Sequence, residues 1–296
     1  MRITNGMLSR LLLADVDRTR QDLASISEQM ASGRRIQRAS DDPLGTGRVL
    51  ELEEMLARTG QHRRNAGDAR TWLDATDTAL GQMTDLTQRA RELALRGANS
   101  TFGQVERESI ALEVDQLVDA VKAEGNASYA GRYLFGGTKT DQPPYLLGGT
   151  DDAYYGDAGT IDREVSAGVS VRLNVTGTDA VGSGPGGLLA ALRKLASDLR
   201  AGDVGAVGGA DLAAISGHLD TLIGQRALVG ARTNRVDLAA SRVDELELSL
   251  KKLQSETADA DLAALAMGYS MRSSALQAAL QAGAKMIQPT LMDFLD

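Results

Sequence analysis

Residues 211–281 read DLAAISGHLDTLIGQRALVGARTNRVDLAASRVDELELSLKKLQSETADADLAALAMGYSMRSSALQAALQ. Counting back from Gln281, apolar or small side chains recur at Ala278, Ser274, Met271, Met267, Ala264, Ala260, Thr257, Leu253, Leu250, Leu246 and Val243, in alternating steps of four and three. That is the period of a coiled-coil seam, and it predicts that a charge at Leu253 would be desolvated at a cost of several kcal/mol. After one slip near Val236 the alternation resumes through Thr233, Val229, Arg226, Leu222, Leu219 and Ile215 to Leu212, with Asp211 placed as an N-cap. No proline falls between residues 186 and 288. The pattern therefore predicts one helix over 211–281, about 105 Å long at 1.5 Å per residue. The fold expected from it is mainly α, an elongated antiparallel helical bundle or coiled coil.

The other end repeats the alternation. Leu12, Val16, Thr19, Leu23, Ile26 and Met30 form a second seam, and Gly33 follows as its C-cap. Asp42 before Pro43 reads as an N-cap with proline at the first helical position. The helix it opens carries Leu52, Met55 and Leu56, continues along Leu73, Thr76, Leu80 and Met83, and closes at Gly97. Thr101 with Gln104 has capping-box form before the stripe Ile110, Val114, Leu117 and Val121, which ends at Gly125.

Between about 137 and 210 the helical period stops: 16 of the 32 glycines and three of the five prolines fall between Gly136 and Gly209. Ile161, Arg163 and Val165, then Val169, Val171, Leu173 and Val175, alternate as antiparallel strands joined through Ala167 and Gly168. Leu188, Leu189, Leu192, Leu195 and Leu199 mark a helix on the way back. The expected organisation is an inner layer of terminal helices from residues 1–40 and 256–296, a helical bundle from 41–138 and 209–255, and a β-rich insertion over 139–208.

Composition excludes several classes of function. With 32 basic and 40 acidic side chains the net charge is −8, which argues against nucleic-acid binding. Aromatic residues are only 3%, so the core rests on aliphatic side chains. The chain has no cysteine, which removes disulfides and thiolate chemistry, and its two histidines, His62 and His218, lack metal-ligand spacing. No apolar run approaches the ~20 residues that span a bilayer, and no cleavable signal peptide is visible. Gly182, Gly184 and Gly187 fit G-x-G-x-x-G, yet the segment 204–210 that should supply the next parallel strand is too glycine-rich, which favours a loop over a dinucleotide site. Asp151, Asp152 and Asp157 lack calcium-loop spacing and read as a solvated turn. The arginines at 34, 35 and 38 and at 63 and 64 lack interleaved aromatics and read as helix surface or subunit contact. No catalytic, cofactor-binding or metal site emerges.

What stands out is the pair of amphipathic ends. Beyond its seam, the C-terminal segment carries a second stripe, Leu262, Leu265, Tyr269, Leu276 and Leu280. A helix with two apolar faces calls for more than one partner, so burial by repeated subunits is favoured over the ends simply pairing with each other. The expected assembly residues are Leu12, Val16, Leu23, Ile26, Met30, Leu253, Leu262, Leu265, Met267, Tyr269, Met271, Leu276 and Leu280.

Four motifs carry a family resemblance. Met30-Ala-Ser-Gly-Arg-Arg-Ile-Gln-Arg-Ala-Ser-Asp-Asp42 resembles the N-terminal signature of bacterial flagellins and their junction relatives, through Ser32, Gly33, Arg34, Ile36, Ala39, Asp41 and Asp42. Residues 89–99 resemble the next motif through Arg91, Glu92 and Leu93. Gly230, Asn234 and Arg235, and then Asp259 and Asp261 with residues 291–295, match two C-terminal motifs. Within that superfamily, residues 131–140 with Pro144 and Tyr145 are similar to the hook-filament junction branch, although Tyr145 stands where that branch often has phenylalanine, and the acidic residue expected near 264–265 is replaced.

The resemblance implies a non-enzymatic structural subunit of the bacterial flagellum, extracellular, and exported unfolded without a cleaved signal peptide. It further implies self-association in a ring, contacts to the first hook-associated protein and to flagellin, and an export chaperone at the C-terminal end, with no cofactor, nucleic acid or membrane insertion. A filament-forming flagellin is the nearer rival; a dinucleotide-binding enzyme and a coiled-coil signalling protein are more distant ones.

Overall fold

The computed structural model describes residues 5–148 and 150–287. Eight α-helices, two antiparallel strand pairs and short 3-10 and π segments follow in chain order among them: α1 (Asn5–Ser32), α2 (Pro43–Gly97), α3 (Gln104–Gly125), β1 (Ser128–Tyr129), β2 (Arg132–Tyr133), β3 (Asp162–Ser166), β4 (Val169–Arg172), α4 (Gly177–Ala180), α5 (Leu188–Ala201), α6 (Val204–Ala206), α7 (Leu212–Ala258) and α8 (Leu262–Ile287). The chain is mainly α, with paired terminal helices, a helical bundle and a small strand region of two antiparallel pairs; within the range expected to be β-rich, 139–208, helix outweighs strand. It divides into two compact units, Met1–Arg58 with Glu247–Asp296, and Thr59–Leu246.

In the central unit, α2, α3, α5 and α7 turn aliphatic stripes inward. Leu73, Leu80 and Met83 of α2, Val114 and Val118 of α3, Leu192, Leu195 and Leu199 of α5, and Ile215, Leu222 and Val229 of α7 are all fully buried in one cluster. Each such side chain contributes about 1.5–3 kcal/mol by leaving water. The stripe on α3 lies where its period places it, but the capping box does not form. Gly103 precedes the helix with no side-chain cap, Thr101 donates instead to Asn99 Oδ1 at 2.9 Å, and Gln104 Nε2 donates to the Arg200 carbonyl at 2.6 Å.

The strands expected around Gly168 form β3 and β4, paired Asp162↔Arg172 and Arg163↔Val171, and Gly168 turns the chain with φ +69°. A hairpin that the alternation did not signal precedes them. Ser128 pairs with Tyr133 and Tyr129 with Arg132 around Ala130 and Gly131, at φ 50° and 77°, the positive-φ pair of a two-residue turn. Two-residue strands are too short to show a period.

Helix α7 differs from expectation at its start. Asp203, not Asp211, caps the entry, its carboxylate accepting from Ala206 N at 2.9 Å. Asp211 lies inside a π turn over Val207–Asp211, 2% exposed, with Lys194 Nζ at 3.0 Å from its Oδ1, and burial raises its carboxyl above the usual range. Nor is 211–281 one helix: α7 ends at Ala258 and α8 begins at Leu262, where Asp261 Oδ1 accepts from Ala263 N at 3.0 Å and Ala264 N at 3.1 Å. A capping carboxylate here restarts the helix that the apolar count ran straight through.

The α7 seam keeps its register without a slip. Val229, Thr233, Val236, Ala240, Val243, Glu247, Leu250, Gln254 and Thr257 alternate in steps of four and three, and each is buried or half-buried. Glu247 and Gln254 occupy seam positions, which leaves Leu246 51% and Leu253 47% exposed. The apolar count chose those leucines because a straight helix keeps its phase regardless of which residue type falls on the seam. The expected desolvation of a charge at Leu253 is therefore overturned.

Candidate assembly surface

In the terminal unit the N-terminal signature folds against the residues between α7 and α8. Gly33 ends α1 in the left-handed region at φ +68°, a conformation glycine adopts at least cost. The chain then runs antiparallel to residues 258–260: Arg35 N donates to the Ala258 carbonyl at 2.7 Å and Ala260 N to the Gly33 carbonyl at 3.0 Å, making Arg34 and Asp259 direct cross-strand neighbours. Arg35 locks the pairing, since Nη2 donates to the Thr257 carbonyl at 2.7 Å while Nη1 lies 3.5 Å from Asp42.

The rest of the signature shapes the loop. Asp41 Oδ2 accepts from Arg38 N at 2.9 Å, and Asp42 Oδ1 accepts from Gly45 N at 2.8 Å as the N-cap of α2. Ser32 Oγ accepts from Gln37 Nε2 at 2.7 Å, Ile36 is buried, and Ala39 is exposed. Two motifs some 220 residues apart thus form one clasp, an encounter that sequence spacing does not reveal.

Beyond the clasp, α1 and α8 pair antiparallel: Ile26 approaches Gly268, and Leu12 approaches Gly283 so closely that a Cβ there would strike its side chain. The α1 seam lies where its period places it. Val16 and Ile26 are buried, Leu12, Thr19 and Leu23 half-buried, and only Met30 turns out, at 39% exposure.

On α8 the phase departs from the heptad count. The face toward α1 carries Leu265, Gly268, Ser273, Leu276, Ala279 and Gly283, each buried or half-buried, and Arg272 Nε lies 3.6 Å from Asp22. Small residues let the backbones approach, and that contact sets the phase. Met267 and Met271, which the count put in the seam, are 64% and 74% exposed on the opposite side. Of the expected second stripe, Leu265 and Leu276 belong to the α1 contact, while Leu262, Tyr269 and Leu280 flank it at 54%, 42% and 45% exposure.

The outward faces of the two helices differ in chemistry. Between Leu262 and Ala284 the sequence of α8 holds one charge, Arg272, which faces α1. The α1 sequence carries Arg10, Asp15, Asp17, Arg18, Arg20, Asp22 and Glu28. An amphipathic helix with one partner turns charge outward, whereas α8 turns methionine, leucine and alanine outward.

The remaining motif residues lie in the central unit. Leu93 is fully buried, Arg91 half-buried and Glu92 exposed, with Glu92 3.5 Å from Arg89. Gly230, Asn234 and Arg235 face outward on α7, while Arg232 from the same stretch donates to the Asn174 carbonyl at 3.1 Å. Residues 291–295 lie outside the described residues.

Within the central unit Asp152 belongs to an ion cluster rather than to the solvated turn expected from its sequence. Lys122 Nζ, 0% exposed, lies 2.7 Å from Asp152 Oδ1, and Arg193 clasps the same carboxylate. Burial pushes the Asp152 carboxyl up, but the bonds from Arg193 and Lys122 outweigh it and hold it below the usual range. Asp157 accepts from Thr138 N at 2.7 Å and Gly159 N at 2.8 Å, so it too organises a turn. Gly182, Gly184 and Gly187 sit in a loop before α5, with only antiparallel pairs among the described strands, so the parallel sheet a dinucleotide site needs is absent there.

Comparison with known proteins agrees with the motifs. The bacterial flagellin N-terminal helical region matches residues 3–140. Flagellar hook-associated protein 3 of Escherichia coli K12 is 25% identical over 95% of this chain and 96% of its own length. The protein of the same name from Salmonella typhimurium is 26% identical over 62% of this chain and 57% of its own. Among solved structures, a flagellar hook-associated protein from Vibrio parahaemolyticus superposes with a TM-score of 0.68 at 24% identity, over 74% of this chain and 100% of that one, a likeness of fold.

Proposed function

We propose that this chain, which belongs to the flagellin superfamily, is a structural subunit of the bacterial flagellum: a hook-filament junction protein that joins the first hook-associated protein to the flagellin filament. The observation that carries an assembling role is the uncharged outward face of α8, with Met271 74% exposed beside Met267. Nothing in a lone chain gains from presenting that surface to water. Copies of the chain packed side by side remove it from water together. Likeness to hook-associated protein 3 over nearly the whole of both chains favours a junction over a filament.

The work of such a subunit is mechanical, holding two neighbouring lattices in register, and it requires no catalytic group. Its neighbours are further copies of itself, the first hook-associated protein and flagellin, with an export chaperone holding the C-terminal end beforehand. Its place is extracellular, reached without a cleaved signal peptide. Electron microscopy of the purified protein with hook-basal bodies and flagellin tests this: a short cap on the hook, needed for filament growth, is expected. Long filaments of this chain alone would support the flagellin reading, which the match over residues 3–140 favours. An intact mass retaining Met1-Arg2-Ile3 in exported protein checks the export route.

A further inference from the structure

The signature loop leaves a cleft that neither the clasp nor the α1–α8 contact fills. Ile36, Val49 and Leu50 form its apolar lining, with Arg34, Arg38 and Glu53 around them, and it encloses about 150 Å³. The cleft is open to water and its lining is part polar, with Gln37 and Thr46 beside the apolar side chains, and a volume of that size has room for one aromatic ring. Leu50 is 61% exposed, so the lining faces water in the lone chain. Two cations stand against one carboxylate. Arg38 reaches Glu28 at 3.3 Å through an exposed pair, and among the described residues Arg34 has no carboxylate at ion-pair distance.

We propose that this cleft receives Phe294 from the C-terminal tail of a second copy of the chain. Of the three phenylalanines, Phe135 is fully buried in the central unit and Phe102 half-buried in the turn before α3, while Phe294 lies in Leu291-Met-Asp-Phe-Leu-Asp296, whose charges are all negative. The ring matches the cavity, and Asp293 and Asp296 match the arginines.

Reach excludes the chain's own tail. Helix α8 leaves the clasp at Leu262 and ends at Ile287, some 38 Å away at about 1.5 Å per residue. The seven steps from Ile287 to Phe294 span at most about 24 Å at ~3.4 Å each. Phe294 therefore falls short of the cleft beside its own Ala258 but is free to enter that of a neighbour stacked beyond the end of α8.

The inference rests on the self-assembly proposed above, and its test separates the two. Full-length protein carrying the photo-crosslinking residue p-benzoylphenylalanine in place of Phe294 is prepared in isotopically light and heavy forms. The two forms are mixed, assembled and irradiated, with microscopy to confirm assembly. Light-to-heavy cross-links from position 294 to the peptide holding Val49 and Leu50 are expected. Arg34→Glu with Arg38→Glu should lower their yield about tenfold, a change of ~1.4 kcal/mol, and Asp293→Arg with Asp296→Arg in the same chain should restore it. Restoration rules out misfolding as the cause of the loss. Assembled protein whose cross-links are intrachain, or fall elsewhere, or ignore the charge reversals, overturns the tail-in-cleft inference alone. Failure of the unmodified protein to assemble under any condition overturns the assembly reading and this inference with it.

Discussion

The two units of this chain use the same side chains for opposite ends. In the central unit Met83, Leu80 and Leu192 are fully buried, and the apolar side chains left outside, such as Val105, Leu112 and Leu238 at 77%, 56% and 55% exposure, stand on helices that also turn charges outward, among them Arg70, Asp74, Glu106, Asp119 and Asp244. In the terminal unit Met271, Met267 and Leu262 remain 74%, 64% and 54% exposed, on a helix with almost no charge. The central unit has buried one large aliphatic cluster within one chain and leaves its remaining exposed apolar side chains interspersed with charge. The terminal unit has buried one seam of α8 and left the rest, as a component of something larger does. Exposed methionine and leucine are therefore informative only by contrast: a single one is ordinary, but a helix carrying them on two sides and no charge between is not.

That contrast can be broken at its strong side first. Leu80→Ala, in the packed cluster of the central unit, should cost about 2–5 kcal/mol of stability, read as a lower denaturant midpoint for the transition of that unit. A loss below 1 kcal/mol would mean the cluster is not well packed. Asp152→Ala comes next at about 3 kcal/mol, the low end for breaking a buried pair. It strands Lys122, which is 0% exposed, although Arg193 at 29% exposure can recover water. Replacing the pair together, with Lys122→Met and Asp152→Leu, should recover most of the loss. If the double variant is as unstable as the single, the pair is not the reason.

The same cluster sets a pH dependence. Asp152 is held below its unfolded value of about 3.9, so the stability it adds is complete above that pH and is lost as pH falls through the lower folded value. Burial also lowers His218, so its contribution is present above the unfolded value near 6.5 and is lost as pH falls further. Denaturant midpoints from pH 7 to 3 should fall in two stages. Burial holds Asp211 and Glu124 above the usual carboxyl range, and they oppose this fall, so the clean test is Asp211→Asn with Glu124→Gln: a midpoint that still rises on acidification in that variant would contradict both assignments.

How much of this was legible in the sequence depended on what set each contact. The α1 seam, the α2 stripe from Leu73 to Met83, the α3 stripe and the β3–β4 hairpin were legible because a period of side chains fixes them and the core confirms the period, whereas Met55 at the start of α2 turns out at 51% exposure. The phase of α8 was not. Its contact with α1 sets Gly268 and Gly283, residues that a hydrophobicity count passes over, beside Leu265, Leu276 and Ala279, one position out of step with the counted seam. Leu253 misled for the related reason that Glu247 and Gln254 hold seam positions, Glu247 with Lys251 Nζ at 2.7 Å. The motif residues were recognisable by resemblance, but that Gly33 and Arg35 pair with Ala258 and Ala260 is a long-range fact with no local signal. Lys122 meeting Asp152 is another.

A smaller effect sharpens the clasp. Gly33 is at φ +68° with nothing within 4 Å of where a Cβ would stand, so Gly33→Ala meets only backbone strain. The expected cost is about 1–2 kcal/mol, confined to the terminal unit, with faster amide exchange at Arg35 and Ala260 and none gained in the α3 core. Exchange that rises equally across both units would show that the clasp is not local.

The smallest effect on the lone chain should be the largest on its assembly. Met267→Asp with Met271→Asp places two carboxylates on a face that already meets water, so the stability of the isolated chain should change by no more than about 0.5 kcal/mol. The same carboxylates would be desolvated without partners once a second copy covers α8, and incorporation into the junction should be lost. Leu253→Asp, at 47% exposure, belongs to the same class for stability and differs only if that part of α7 is also covered on assembly. If the double aspartate variant melts several kcal/mol lower as a monomer, α8 packs within one chain more fully than its exposure states. If it assembles as well as the parent, its outward face is not the contact, and the contrast between the two units loses its functional meaning.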